Sequence, residues 1–251
     1  KTGNVVETVA TYEGEAGKDL VTTLDIELQQ EAERIVEDAL WKMKSSSDGS
    51  LLDRAFFVMM NPNTGEILSM VGKRVEYDAG GKMYLADYSY GTFTTAYEIG
   101  STVKGATLLT GYREGAVTIG TSQIDEPIVL GENLVKSSIF NRSGRIRMDD
   151  LMALEQSSNV YMFKIAMTMG GLSYYPYIGI ASLLRDDTLQ RLRNGYAQVG
   201  LGVPTGIDLP GETAGVIGVP DSPGKVLDIT IGQFDTYTPL QLVQYVSTIA
   251  N

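Results

Sequence analysis

The sequence of 251 residues contains no cysteine and no histidine. Without thiols there is no disulfide framework and no cysteine nucleophile; without imidazole there is no Ser-His-Asp triad and no zinc site of the usual His or Cys kind. No run of about twenty apolar residues occurs, so no segment reads as a membrane-spanning helix. Positive charge is scarce. Lys and Arg number 20 against 31 Asp and Glu, a net charge of −11, and that field repels polyanions, which argues against nucleic acid or anionic lipid as a partner. The lack of cysteine suits an oxidising compartment but is equally compatible with a reducing one. The chain opens on Lys without a signal sequence, and therefore reads as a piece of a longer protein.

What is present is the composition of an ordinary globular protein, long enough for one large domain or two small ones. Residues 1–22 are polar and glycine-punctuated, predicting an edge strand and linker. From Asp25 the apolar residues Leu28, Ala32, Ile35, Val36, Ala39, Leu40 and Met43 recur at helical spacing, with Asp25 placed as N-cap and Glu27 in the first turn. "AFFVMM" and "EILSMVG" flank the turn "NPNTG", which predicts a hairpin. Residues 73–97 show no periodicity and read as loops, as do 112–147 apart from short strands. Between them a helix begins near Gly100, its Val103, Ala106, Leu108 and Leu109 covering more than one face, as expected of a helix running through a core. Residues 148–171 read as two helices broken at "SSN" and stopped by Gly170 and Gly171. A helical stretch over about 180–197, the loop "GVPTGIDLPGETAG" and a closing amphipathic helix complete the chain.

The chemistry concentrates in "YEIGSTVKGATLLTG", residues 97–111. A serine hydroxyl needs a neighbour to take its proton, and without histidine or cysteine the available bases are carboxylate, tyrosinate or neutral lysine. Ser101 and Lys104 lie three residues apart, on one helix face, and an apolar setting lowers a lysine pKa by desolvating its charged form. The spacing alone is weak: Ser222 and Lys225 share it, in a Pro-Gly loop that aligns nothing. The second feature is Ser157, Ser158 and Asn159, which by themselves read as a helix cap. Beside Ser101 and Lys104 they acquire another use. A second hydroxyl can pass the proton to a leaving amine, and the asparagine amide can hold both a substrate carbonyl and the lysine.

Six stretches resemble, in order, blocks of the transpeptidase domain of class B penicillin-binding proteins, the membrane-anchored enzymes that cross-link bacterial peptidoglycan. They are "TLDIELQQEAERIVEDAL", "NPNTGEILSMV", "YEIGSTVKGAT", "QSSNVYMFKIAMTMG", "GLGVPTGIDLPGE" and "IGQFDTYTPLQLVQYVSTIAN". The resemblance implies that Ser101 is the acylated nucleophile, Lys104 its general base, Ser157 the proton relay and Asn159 a substrate-orienting amide. Ile99 and Val103 depart mildly from the family pattern. The family's third motif, Lys-Thr-Gly or Lys-Ser-Gly, follows the "TPLQ" block; the "KTG" at residues 1–3 aligns instead with the linker preceding the domain, so the motif is missing from this sequence.

The fold so implied is α+β, a mainly antiparallel sheet covered by helices on both faces and incomplete in this chain. Residues 1–20 would close a preceding linker or pedestal domain, with the transpeptidase domain, in part, over 21–251. The implied activity is serine D,D-transpeptidation of peptidoglycan stem peptides, with β-lactams acylating the same serine and with no metal or organic cofactor. The alternatives are a β-lactamase or penicillin sensor of the same fold, or a non-catalytic cell-wall scaffold. By resemblance the site would face the extracytoplasmic side of the bacterial membrane, held by an N-terminal anchor absent from these residues, in association with a polymerising glycosyltransferase.

Overall fold

The computed structural model describes Gly3, Gly14 and residues 17–131, 134–184 and 187–251. The edge strand expected within 1–22 falls almost wholly outside them. The first helix, α1 (Ile26–Lys44), starts where the sequence places it: the Asp25 carboxylate accepts from the amides of Glu27 and Leu28 at 3.1 and 3.0 Å, satisfying donors that have no intrahelical partner. Its buried stripe is Ala32, Val36 and Leu40, four residues apart. Ile35, Ala39 and Met43, which share the periodicity, lie exposed.

Strands β1 (Arg54–Met60), β2 (Ile67–Tyr77) and β3 (Met83–Asp87) form an antiparallel sheet in that order. Side chains alternate between its faces. Phe57 and Val71, paired across β1 and β2, meet α1. On the other face Phe56 touches Tyr88 and Tyr97, ring centroids 5.8 and 5.6 Å away, below the short helix α2 (Gly91–Thr94). The sheet is thus covered by helices on both faces. Residues 73–97, expected as loops, instead carry the end of β2, all of β3 and α2. Charge hid them: Lys73 is bridged to Glu33 and Glu37 of α1, at 3.3 and 2.9 Å, and Arg74 to Glu76, so side chains that break the alternation are neutralised by partners remote or adjacent.

The rest is a helical body. A 3-10 turn over Gly100–Val103 leads into α3 (Lys104–Arg113). Short strands β4 (Gln123–Asp125), β5 (Ile128–Leu130), β6 (Leu134–Lys136) and β7 (Ile146–Met148) pair as β4 with β7 and β5 with β6, both antiparallel. Then follow α4 (Asp150–Glu155), α5 (Asn159–Met169), α6 (Thr188–Gln198), α7 (Pro223–Asp228) and α8 (Pro239–Ala250); Ser222–Lys225, expected as a loop, instead open α7, because Pro223 sits in the first turn where its missing N–H costs nothing. The helical stretch expected over 180–197 divides into a 3-10 turn, Ala181–Leu184, and α6. Val103, Ala106 and Leu108 enter a core shared with Val160–Ala166 of α5, Leu192 and Tyr196 of α6, and Ile229 and Ile231. Leu109, expected among them, is 43% exposed; the inward positions on that side are taken by Thr107 and Thr110, whose hydroxyls bond to Thr230 O at 2.9 Å and Ala106 O at 2.7 Å.

Two contacts fix where α3 begins. Gly105 admits the Tyr245 hydroxyl, which would lie 2.3 Å from a Cβ there, and the amide of Ala106 donates to that hydroxyl at 3.0 Å. A side chain of α8 thereby caps a helix that lacks a capping side chain of its own. Just before α3, the Gly100 amide donates to Gly232 O at 3.0 Å, and Tyr97 and Tyr237 exchange backbone hydrogen bonds at 2.9 Å. Gly232 has φ +72°, and a Cβ on it would lie 2.2 Å from Gly100 O. Gly232→Ala is therefore expected to cost about 2–3 kcal/mol in urea unfolding. Gly65→Ala, at φ +77° in the β1–β2 turn with open space around it, should cost about 1 kcal/mol. Equal losses would show that the backbone contact carries no energy.

Candidate active site

Ser101 and Lys104 occupy the 3-10 turn and the first residue of α3. In 3-10 geometry residues three apart eclipse one another, so this turn stacks the two side chains more directly than an α-helix would. The turn is held by the Lys104 amide donating to Ser101 O and by the Thr102 hydroxyl donating to Ile99 O at 2.8 Å. Ser101 is exposed, and its hydroxyl forms no hydrogen bond among the described residues.

Lys104 is only 2% exposed. Its Nζ donates to Ser157 O at 2.6 Å, Ser157 Oγ at 2.9 Å and Asn159 Oδ1 at 2.6 Å. Three acceptors match the three protons of an ammonium. Burial brings the lysine down from its ordinary value to about 8, against a smaller opposing pull from the negative charge of Asp125. Two of the three acceptors, a carbonyl and an amide oxygen, can only accept. Once Nζ is neutral, the hydroxyl of Ser157 is the one partner able to turn and donate to the lone pair, so proton exchange between these two groups is built into the arrangement. Lys104, Ser157 and Asn159 are thus brought together by direct side-chain bonds, whereas among the described residues Ser101 and Lys104 are joined through the backbone alone.

The position of Ser157 follows from how α4 ends. Gln156 closes the helix, the Ser157 amide donates to Leu154 O at 3.1 Å, and the Ser158 amide donates to Ala153 O at 2.8 Å. This is a Schellman turn, whose left-handed residue is ordinarily glycine. Here that residue is Ser157, at φ 56°; among the described residues only Tyr177 is another non-glycine with positive φ. The turn aims both the carbonyl and the hydroxyl of one residue at Lys104, which a glycine cannot do. The next residue, Ser158, caps α5 by accepting from the Tyr161 amide at 3.0 Å. The cap expected of this motif and its placement around the lysine therefore coexist, on adjacent serines.

Sequence reasoning missed the layer beneath. Asp125, Ser138, Asn141 and Ser158 are all buried and form one hydrogen-bonded cluster. The Asp125 carboxylate accepts from both serine hydroxyls and from Asn141 Nδ2, while Ser138 Oγ accepts from the Asn159 amide at 2.9 Å. The Asn159 side-chain amide donates to Ser137 O at 3.2 Å. No sequence spacing signals these contacts, which join segments made adjacent only by folding. Among the described residues no group of three carboxylates is placed to hold a metal ion. A surface concavity between the Pro62–Ile67 turn, the 205–208 loop and α8 contains none of the site residues.

Residues 55–251 match the penicillin binding protein transpeptidase domain family, and the chain belongs to that family, on its class B side. It is 46% identical over 249 residues to Penicillin-binding protein 2A of Bacillus subtilis (strain 168), covering 99% of this chain and 34% of that protein. To Peptidoglycan D,D-transpeptidase MrdA of Haemophilus influenzae it is 25% identical over 275 residues, covering 99% of this chain and 37% of the relative. The fold matches that of penicillin-binding protein 2B from Streptococcus pneumoniae (strain 5204) with a TM-score of 0.86 at 32% identity, over 100% of this chain and 41% of that one. The chain spans about a third of the length of the curated relatives it matches.

The left-handed backbone at Ser157 makes a stability prediction. Ser157→Gly and Ser157→Ala both lose the hydroxyl facing Lys104, but only alanine keeps the steric penalty of positive φ, so the glycine variant should be the more stable by about 1 kcal/mol. Thermal melts of the two variants check this, and an alanine variant that melts at or above the glycine one refutes it.

Proposed function

We propose that this chain is the acylating part of a peptidoglycan D,D-transpeptidase, with residues 21–251 belonging to the transpeptidase domain and 1–20 to the end of a preceding linker or pedestal. The observation that carries the reading is the buried Lys104 amine, held by Ser157 and Asn159 one turn from an exposed serine. The relatives' printed names, penicillin-binding protein and peptidoglycan D,D-transpeptidase, support the substrate class.

In this reading Ser101 Oγ attacks the carbonyl between the two terminal D-alanines of a stem peptide, and its proton passes to neutral Lys104 Nζ. The Ser157 hydroxyl gives its own proton to the departing nitrogen and is re-protonated by Lys104, so the net transfer is from Ser101 to the leaving D-alanine. The C–N bond breaks and an ester forms on Ser101. An amine from a second stem peptide then attacks that ester, the proton path runs in reverse, and Ser101 is restored. Asn159, whose Oδ1 is bound to the lysine, orients the substrate amide. Side-chain hydrogen bonds not made in the resting site, notably between Ser101 Oγ and Lys104 Nζ, form with substrate in place. A β-lactam enters by the same attack on its ring amide, and its nitrogen remains tethered to the acyl group.

The setting follows from the same reading. The site would lie on the extracytoplasmic face of the bacterial membrane, through an anchor outside these residues, and work with a polymerising glycosyltransferase. None of the described helices is long and apolar enough to cross a membrane.

The test is covalent labelling of the full-length protein with a fluorescent penicillin. Ser101→Ala should leave the fold intact and abolish the adduct; labelling that persists would place the nucleophile elsewhere. Lys104→Arg keeps the charge but cannot release its proton, and should slow acylation by about two orders of magnitude or more. In the unmodified protein the rate should climb as pH rises through about 8, because only the neutral amine accepts the serine proton. A rate flat across that range would remove Lys104 as the base.

A further inference from the structure

We propose that Asp125 is a positioning residue, fixing the Ser157–Asn159 turn in the geometry that the Lys104 amine requires; the proposal rests on the acylation chemistry above. Asp125 ends β4 and is 1% exposed. A carboxylate so buried is tolerated only if donors surround it, and here every donor has a second task. Ser138 Oγ donates to Asp125 Oδ2 and accepts from the amides of Asn159 and Val160 at 2.9 and 3.3 Å. Ser158 Oγ donates to the same oxygen and accepts from the Tyr161 amide at 3.0 Å. Asn141 Nδ2 donates to Asp125 Oδ1 at 2.8 Å and to Asp125 O at 2.9 Å, while its Oδ1 accepts from the Gly144 amide at 2.8 Å.

A hydroxyl that donates to a carboxylate has its lone pairs left for accepting. Asp125 therefore sets the polarity of both serines, and both then hold backbone amides in the first turn of α5, immediately beside the residue bonded to Lys104. Only a group that accepts on both oxygens fits. Asparagine at 125 would turn an NH2 either toward the two serines or toward Asn141, donor against donor. Charge adds a separate signature. Of the charged groups, Asp125 is the one whose field favours the protonated form of Lys104; the same field reaches Lys164 of α5, which is bound to Ile124 O at 2.6 Å and also feels Glu126 and Arg145.

The experiment measures the acylation rate of Ser101 by a fluorescent penicillin against pH in the full-length protein, with thermal melts alongside. Asp125→Asn should still unfold cooperatively, lose tenfold or more of its plateau rate, and show the rise in rate displaced to lower pH, since the ammonium of Lys104 has lost its neighbouring anion. Ser138→Ala, which removes support from the Asn159 amide without changing charge, should lower the plateau and leave the midpoint in place. A folded Asp125→Asn variant with an unchanged plateau and midpoint overturns the proposal. If that variant does not fold, Ser138→Ala decides, and a wild-type plateau there overturns it equally. An unmodified protein that takes up no label at Ser101 overturns the acylation reading itself, an outcome distinct from a labelled protein indifferent to Asp125.

Discussion

The contact on which the molecule turns is a single amine out of water. A lysine surrendering its hydration shell must recover three hydrogen bonds, and Lys104 recovers them from two residues of one short turn, Ser157 and Asn159. That requirement reaches outward. It demands that α3 start at a fixed point, which the Tyr245 hydroxyl and the Gly100–Gly232 backbone contact provide. It demands that α4 and α5 join through a left-handed serine. The side chains are thus ordered by the needs of one nitrogen as much as by apolar burial, and the hydroxyl of exposed Ser101 takes no hydrogen-bond partner among the described residues.

Among the buried charged groups of the helical body, Lys104 and Asp125 are of opposite sign and yet form no ion pair with one another. Each is enclosed by its own neutral donors or acceptors, and the two enclosures share the Ser157–Ser158–Asn159 segment. Alternate residues of this segment serve different masters: Ser157 and Asn159 point to the lysine, Ser158 to the carboxylate. Such an arrangement specifies a conformation more strongly than it stabilises one, because each buried group is costly if left unmatched and of modest net value when satisfied.

Much of this is legible in the sequence. Local signals were reliable where physics is local: the Asp25 cap, the hairpin around residues 61–65, the glycine stop after α5, and the Ser101–Lys104 spacing all depend on neighbours within a turn or two. The meeting of Lys104 with Ser157 and Asn159 was legible only because residue types and family resemblance pointed the same way. The strands in 73–97 were missed because Lys73, Arg74 and Glu76 interrupt the alternation, their partners invisible to a periodicity argument. Ile35, Ala39, Met43 and Leu109 were misjudged for the converse reason, since an apolar residue at a helical interval carries no mark of whether a neighbour will cover it. Apart from Ser158, a member of the Ser-Ser-Asn motif, the Asp125 cluster left no trace, for its members lie up to 33 residues apart and Asp125, Ser138 and Asn141 belong to no spaced motif.

Helix α5 is buried around nearly its whole circumference, from Val160 through Met169. A rod enclosed on nearly every side cannot slide or rotate without opening voids in the core. The lysine cradle at its head, Ser157 and Asn159, is consequently held in place by the core as a whole. Ile139 and Phe140, directly after the serine pair at 137–138, stand exposed instead, so side chains there can be exchanged without disturbing the interior.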